Sequence, residues 1–379
     1  MRITDIAIRL AIMPKEDKEW RFALGGEPLA KGFFVKLMTD EGLTGFGYAG
    51  EAAHHGVGAG AVQAALEKYG EILKGHDPFD TGKIFPLMDR ALPGNNEAQS
   101  GIDLALHDLQ AKKLGLPLYA LLGGAVRKEI PVMRILALKE PAQMAENALK
   151  LTAQGYFYIK VKFGGEPAKD VARIREVRKA VGDDIHLIVD MNQSYLAKSA
   201  IATLKRAEEY GVDICEQPVR ADDWEGLAAV TRAVDCLVEA HESALSLESV
   251  FALVKGRVVD SINLKVGQIG GLRKAKIAAA ICKLGNVALR TGETGSRLLA
   301  AASMHFVAST ENIAYACELG EFSRILNDPA YGLEVENGVL KVPSAPGIGV
   351  MVREEFFYLH EKSEETDKIM MKGKGDWNG

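Results

Sequence analysis

The chain has 379 residues, of which 47% are hydrophobic, 26% charged and 7% aromatic, a composition that indicates a globular protein and excludes fibrous and disulfide-scaffold classes. Its 46 Lys and Arg against 51 Asp and Glu leave a net charge of −5, which argues against a nucleic-acid binder. No apolar run approaches the roughly 18 residues of a membrane span. Asp5 falls where a signal peptide would be apolar, and the four cysteines are widely spaced. We therefore expect a cytoplasmic protein with reduced thiols.

The first third of the chain predicts an α+β unit. Residues 2–11, 31–39 and 43–50 are short, β-prone and partly alternating, with a turn at 40–42, which is typical of a β-meander. Residues 98–114 carry an apolar helical pattern that ends near Gly115, which predicts a buried helix.

From residue 129 the pattern changes to short apolar strands that alternate with amphipathic helices such as 197–210. This alternation predicts a parallel (β/α)-type barrel; a doubly wound open sheet is the alternative, but the glycine-rich segment 267–271 has the wrong spacing for its phosphate loop. Beyond residue 330 the chain returns to loops and short strands. The predicted barrel strands are 130–136, 157–163, 185–190, 212–216, 236–242, 259–265, 286–291 and 312–318.

Charged residues recur at the carboxyl ends of five consecutive predicted strands, where barrel enzymes hold their chemistry: Lys162, Asp190, Glu216, Glu242 and Lys265. Each one alone is more simply explained as a helix cap or a solvated charge. As a set, they predict a polar barrel mouth, because charges that converge there need partners of opposite sign.

The three carboxylates Asp190, Glu216 and Glu242 form a hard oxygen site, which favours Mg²⁺. A cation there would bind a substrate carboxylate and stabilise the enolate formed when the α-proton leaves. Lys162 and Lys265 lie on strands across the barrel from each other, as two bases on opposite faces of one carbon would. Lys160 points to the same face as Lys162 by strand alternation, and we include it in the catalytic set.

These motifs resemble the enolase superfamily, close to the muconate-lactonizing and mandelate-racemase branch. The resemblance covers nearly the whole chain in order. The matching pieces are SGIDLALHDLQAKKLGLPLYALLGG (100–124), KVK (160–162), VDMNQ (189–193), EQPV (216–219), the Glu242 region, INLKVGQIGG (262–271), ELG (318–320) and PSAPGIGV (343–350).

The resemblance implies an α/β fold: a (β/α)₇β TIM-type barrel at 129–330, closed by an α+β capping domain built from residues 1–128 and a returning C-terminal segment, 331–379. It also implies Mg²⁺ on Asp190, Glu216 and Glu242, general acid/base roles for Lys162 and Lys265, and a small-molecule carboxylate as substrate. Barrels of this kind are often symmetric oligomers, so we expect a homo-oligomer.

The chain departs from the family pattern at the fifth strand. Muconate-lactonizing relatives usually read Asp-Glu-Ser there, whereas this chain reads His241-Glu242-Ser243. Either Glu242 supplies the metal ligand or His241 replaces the aspartate, and we favour Glu242 because Mg²⁺ prefers oxygen. The eighth strand lacks the Asp-x-Asp with which dipeptide epimerases hold an ammonium group, and carries Glu318 and Glu321 instead.

Substrate contacts are expected from Lys160, Asn192 and two capping loops, 16–26 with Trp20 and 50–59 with His54. Glu318 also faces the site, although its ELG context favours a structural role. The predicted function is α-proton abstraction by a racemase, epimerase or cycloisomerase. The alternatives are a β-eliminating dehydratase and, from another class, a non-catalytic binding protein on the same fold.

Overall fold

The structure is a computed structural model that describes residues 1–26 and 28–358, apart from the side chain of His54. The predicted substrate contact of His54 and the last part of the predicted C-terminal segment, 359–379, therefore lie outside the described residues. No helix in the described part is both long and apolar enough to cross a membrane.

The N-terminal unit is built on the predicted meander. Three long strands form an antiparallel sheet in the order β1-β4-β5, because their alternating residues place one apolar face toward the helices. A short hairpin stands between the first two long strands. The strands are β1 Ile3–Pro14, β2 Arg21–Phe22, β3 Gly25–Gly26, β4 Leu29–Thr39 and β5 Thr44–Gly50.

Helix α3 is the predicted buried helix, and it ends at Gly115 in the left-handed conformation that a residue without a Cβ adopts readily. It packs against β5, where Gly47 lies against the backbone of Gly101. The helices of this unit are α1 Ala59–Leu73, α2 Thr81–Ala91, α3 Asn96–Leu114 and α4 Leu118–Leu121.

The central unit is the predicted barrel. After the short strand β6 Glu129–Pro131, seven parallel strands follow in strict chain order around the sheet, and helices alternate with them. The strands are β7 Met133–Leu136, β8 Tyr158–Lys162, β9 His186–Asp190, β10 Val212–Glu216, β11 Leu237–Ala240, β12 Ser261–Asn263 and β13 Ala288–Arg290. The helices are α5 Pro141–Ala153, α6 Pro167–Val181, α7 Ala197–Ala207, α8 Trp224–Ala233, α9 Leu247–Gly256, α10 Val266–Ile269, α11 Leu272–Leu284 and α12 Arg297–Ala308.

The eighth predicted strand, 312–318, is not a continuous strand in the structure. It instead makes single bridges to both edges of the seven-stranded sheet: Ile313 pairs with Leu289 and Cys317 pairs with Val132. Backbone hydrogen bonds reach β13 on one side and β7 on the other. The segment therefore closes the barrel through isolated β-bridges and forms no continuous ladder of backbone hydrogen bonds.

The C-terminal part returns to the N-terminal unit. Glu354 forms an ion pair with Lys36 of β4 at 3.0 Å, and the Phe356 ring packs edge-on against Phe34. The remaining strands are β14 Ala330–Tyr331, β15 Val339–Lys341 and β16 Met351–Val352, of which β15 pairs with β6; the 3₁₀ helices are Ala53–His55, Glu208–Tyr210, Glu321–Arg324 and Glu354–Phe357.

The unit of β1–β5 and α1–α4 and the barrel meet through a buried carboxylate. Asp103 of α3 accepts a hydrogen bond from the backbone nitrogen of Leu272 at 2.6 Å and a longer one from Arg273. These are orphan donors of the first turn of α11, so a side chain of one unit caps a helix of the other.

Candidate active site

Lys160 lies at the centre of a buried ionic cluster. Its ammonium nitrogen is 2.7 Å from Glu216 Oε2, 2.7 Å from Glu318 Oε1 and 2.8 Å from Asp190 Oδ2. Burial opposes the charge, but the three carboxylates outweigh burial and raise the pKa of Lys160 well above its ordinary value. Lys160 is therefore held as a positive charge inside the barrel.

Lys162 points to the same face of β8 and reaches the barrel mouth. Its Nζ donates to Asp190 Oδ2 at 2.5 Å and to Asn192 Oδ1 at 2.9 Å, while the Phe22 ring lies 5.5 Å away. Asn192 also donates its backbone N–H to Asp190 Oδ1, so these three residues fix one another. The structure thus brings together Lys162, Asp190 and Asn192, and it places Lys162 on the same face as Lys160, as the alternation along β8 predicts.

Glu216 is fully buried and shared between several donors. Its Oε2 accepts from Lys160 and Arg290 and from Asn263 Nδ2 at 3.2 Å. Burial alone would raise the pKa of Glu216, but the two cations hold it well below its usual range. Its other oxygen, Oε1, is buried without a hydrogen-bond partner.

Arg290 of β13 is a buried cation that the sequence analysis missed. It forms ion pairs with Glu216, Glu239 and Glu318, the last at 2.6 Å. The alternation of residues along the strands is the sequence pattern that could have identified this buried network. Glu239 precedes His241 by two residues, Asn263 precedes Lys265 by two, and in parallel strands such residues share the inner face.

His241 and Glu242 lie beside Glu216 at the end of β11. The Nδ1 atom of His241 is 3.2 Å from Glu216 Oε1 and 3.4 Å from Glu242 Oε2, and its Nε2 atom is 3.0 Å from Gln268 Oε1. Glu242 Oε1 accepts from Asn192 Nδ2 at 3.3 Å. Burial and the Lys265 charge oppose protonation of His241, but Glu242 and Glu216 raise its pKa to about 9.

Lys265 stands directly before α10 and lines a cleft between the barrel and β4–β5. Within residues 1–26 and 28–358, no hydrogen bond or ion pair within 4 Å holds its ammonium group. Glu293, which the sequence analysis did not select, also lines this cleft. Its pKa is raised to about 7, mainly because the carboxylate is buried.

Two predicted substrate contacts, Trp20 and Glu318, are buried against charged side chains of the protein. Trp20 is buried between the charged groups of Lys15 and Arg324, which lie 5.3 Å and 5.1 Å from its ring centre. Glu318 is buried between Lys160 and Arg290, where it accepts hydrogen bonds from both. The structure thus places Glu318 within the ionic cluster, whereas Phe22 of the same loop as Trp20 reaches Lys162.

The carboxylate oxygens at this site are the type of ligand atom that binds a divalent cation. Glu216 Oε1 and Glu242 Oε2 are buried carboxylate oxygens without hydrogen-bond partners, and such atoms require a cation or a proton. Asp190 is the third predicted ligand, but both its oxygens are already hydrogen-bonded. Accordingly, no three Asp, Glu, His or Cys side chains in the described part form an assembled metal centre.

Comparisons with known proteins agree with this architecture. The family model described as "Mandelate racemase / muconate lactonizing enzyme, N-terminal domain" matches residues 9–123. The model described as "Enolase C-terminal domain-like" matches residues 143–356. Together the two models span most of the chain, including every predicted catalytic residue and metal ligand.

Curated relatives carry isomerase names. The chain is 32% identical to a hydrophobic dipeptide epimerase from Enterococcus faecalis, over 92% of this chain and 99% of that protein. It is 34% identical to a chloromuconate cycloisomerase from Cupriavidus necator, over 84% and 88% of the two chains.

Solved structures agree in fold over nearly the full length. A dipeptide epimerase from Enterococcus faecalis, complexed with Mg and L-Leu-L-Tyr, superposes with a TM-score of 0.89 at 30% identity and covers 92% of this chain and 99% of its own. An N-succinyl Arg/Lys racemase from Bacillus cereus reaches 0.91 at 28% identity, with 94% and 97% covered.

Proposed function

The chain belongs to the mandelate racemase/muconate lactonizing branch of the enolase superfamily and is an isomerase of that superfamily, and from this premise we propose that it inverts the α-carbon of a carboxylate substrate by removing and returning its α-proton. The observation that carries the proposal is the pair of lysines at one barrel mouth. Lys162 ends β8 and Lys265 follows β12, and these strands are four apart in an eight-membered ring.

Lys162 and Lys265 take the two acid/base roles. A carbon between them presents one face to each nitrogen, so that one lysine removes the proton as the other returns a proton to the opposite face. Lys160 is not a base in this scheme because three carboxylates enclose its ammonium group. It supplies a fixed positive charge close to the reacting carboxylate.

Asp190, Glu216 and Glu242 would hold a divalent cation, which is Mg in the solved dipeptide epimerase. When bound, the cation supplies positive charge for the substrate carboxylate and for the negative charge that develops on it. Asn192 links two of these ligands, because it contacts both Asp190 and Glu242. It thereby orients their carboxylates toward the mouth.

The substrate we favour is an N-acylated amino acid without a free α-ammonium group. Two acids stand at the end of the eighth barrel segment and just after it, Glu318 and Glu321. Glu318 is paired with Lys160 and Arg290, and Glu321 is paired with Arg324 at 3.3 Å and accepts from the backbone of Ile135. Neither carboxylate is left to neutralise a substrate ammonium, which an acyl group removes.

The proposal is tested by α-proton exchange in D₂O with added Mg²⁺. The panel consists of N-acyl amino acids, dipeptides, muconates and acid sugars, and NMR and mass spectrometry report deuterium uptake and chirality. Uptake with inversion is the expected result. Uptake with loss of water identifies a dehydratase, lactone formation identifies a cycloisomerase, and absence of exchange across the panel despite cation binding favours a binding protein.

Single lysine variants separate the two faces of the substrate. We expect Lys162→Ala to abolish exchange from one enantiomer and Lys265→Ala to abolish exchange from the other, and each to slow inversion by a factor of about 10³, since a positioned acid or base contributes about 10²–10⁴. Lys198→Ala, an exposed lysine on α7, is the matched control and keeps full activity. Equal loss of exchange from both enantiomers in either variant contradicts the two-base assignment.

A further inference from the structure

The fifth barrel strand presents a nitrogen atom to the cation site. His241 continues the inner face of β11, because it follows Glu239 by two residues and Glu239 contacts Arg290 inside the barrel. Its side chain is 95% buried. An imidazole therefore stands beside the carboxylates of the proposed cation site.

Three buried polar atoms without hydrogen-bond partners meet at this point. They are His241 Nδ1, Glu216 Oε1 and Glu242 Oε2. Nδ1 lies 3.2 Å from the first oxygen and 3.4 Å from the second. Two donor atoms that share a metal ion at about 2.1 Å lie about 3.0 Å apart at a right angle and about 3.4 Å apart at a tetrahedral angle. The observed separations fall in that range.

The other ring nitrogen fixes the orientation of the imidazole. Nε2 lies 3.0 Å from Gln268 Oε1, an acceptor, so Nε2 keeps its proton, and a cation that displaces the proton on Nδ1 meets the lone pair of that atom. A metal-ligating histidine ordinarily donates its second N–H to such a partner. Gln268 therefore acts as the orienting group of a ligand histidine.

We propose that His241 Nδ1 is a ligand of the cation and gives this site a stronger preference for Mn²⁺ over Mg²⁺ than an all-carboxylate site has. The inference rests on the proposed function, since it concerns the cation of the same site. Imidazole suits first-row transition metals, whereas Mg²⁺ selects oxygen. A nitrogen ligand beside the carboxylates thus changes the metal that the site selects.

The test is electron spin-echo spectroscopy of the Mn²⁺-loaded protein, with histidine in natural abundance or labelled with ¹⁵N. The expected result is nitrogen modulation from an imidazole that changes with the label and disappears in His241→Asp. His55→Gln, which alters a ring whose centre lies 6.0 Å from that of His241, keeps the modulation. Bound Mn²⁺ without imidazole modulation in the unsubstituted protein overturns the inference, and this measurement requires no variant to fold.

Calorimetric titration with Mn²⁺ and Mg²⁺ gives a second readout. We expect the ratio of the two dissociation constants to change by at least tenfold in His241→Asp, so that Mg²⁺ binding strengthens relative to Mn²⁺ binding. An unchanged ratio overturns the inference. Mg²⁺-dependent α-proton exchange combined with that result leaves the proposed function in place, whereas imidazole ligation without any exchange supports this inference and counts against the proposed function.

Discussion

At the scale of single residues, Glu293 lowers the free energy of unfolding by an amount that depends on pH. Its carboxylate is buried beside the cleft, where Ser303 Oγ at 3.1 Å and the backbone nitrogen of Gly267 at 3.4 Å donate to it. Burial raises its pKa from 4.5 to about 7. Between these values the folded state binds more protons than the unfolded state, so this group lowers stability as pH rises from about 5 to 7.

Glu293→Gln removes this dependence. We expect the unsubstituted protein to lose about 2–3 kcal/mol of unfolding free energy relative to Glu293→Gln between pH 5 and pH 8, as a shift of this size implies. Urea denaturation at the two pH values measures the difference. Glu209→Gln, at an exposed position on the barrel surface, is the control and shows no such change. Parallel pH profiles for Glu293→Gln and the unsubstituted protein would refute the assignment.

The candidate site also shows how far single residues can be read from a sequence. Lys160, Lys162, Asp190, Asn192 and Glu216 do converge, because strand alternation and strand ends place them on one inner face. The roles given to them stay predictions. Pairing within the set was not predictable, because the partners of Lys160 come from two strands and from the segment that closes the barrel, and their distances depend on that closure.

At the scale of elements, the contact between β5 and α3 depends on residues without side chains. A Cβ on Gly47 would lie 2.0 Å from the backbone oxygen of Gly101 and 2.9 Å from the backbone nitrogen of Ala105. Backbone atoms cannot move aside as a flexible side chain can. The strand and the helix must therefore separate if this glycine is replaced.

Gly47→Ala is expected to lower the unfolding free energy by about 3 kcal/mol, at the upper end of overpacking costs. Gly60→Ala is the matched control, because its Cβ meets open space near the start of α1 and the helix gains roughly 0.5–1 kcal/mol from alanine. Urea denaturation of both variants gives the comparison. Equal stability of the two variants would contradict the close packing of β5 on α3.

Element boundaries were predictable where the local pattern was strong. The meander of β1, β4 and β5 and helix α3 are confirmed, since alternation and helical periodicity are local properties of the chain. The expectation of a continuous eighth strand at 312–318 was wrong. That segment forms only isolated bridges, and its pairing is decided by the two edges it joins rather than by its own residues.

At the scale of the whole molecule, Asp103 joins the N-terminal unit to the barrel. Its carboxylate caps the first turn of α11, and Gly271 lies so close that a Cβ there would be 2.5 Å from the Asp103 side chain. Because the carboxylate is buried and charged, its hydrogen bonds to backbone N–H groups are strong ones. Helix α3 of the N-terminal unit is thus attached to the start of α11 in the barrel.

Asp103→Ala is expected to lower the unfolding free energy by about 2–3 kcal/mol, because the buried N–H of Leu272 and the partly buried N–H of Arg273 lose their carboxylate acceptor. Hydrogen exchange should accelerate at the amides of Leu272 and Arg273. Asp223→Ala removes a cap within the barrel, at α8, and serves as the control: it costs about 1 kcal/mol and leaves those two amides protected. Unchanged exchange at Leu272 in Asp103→Ala would show that the contact does not hold the units together.

The sequence by itself determined the barrel, the meander and the ring of charged strand ends. These follow from periodicity, which each segment carries within its own residues. Only the tertiary structure decided which charges are paired. It enclosed Lys160 and left Lys265 facing the cleft, buried Arg290 among three carboxylates and set His241 Nδ1 beside two unpaired oxygens. Such pairings depend on distances between residues far apart in the chain, and closure of the barrel fixes those distances.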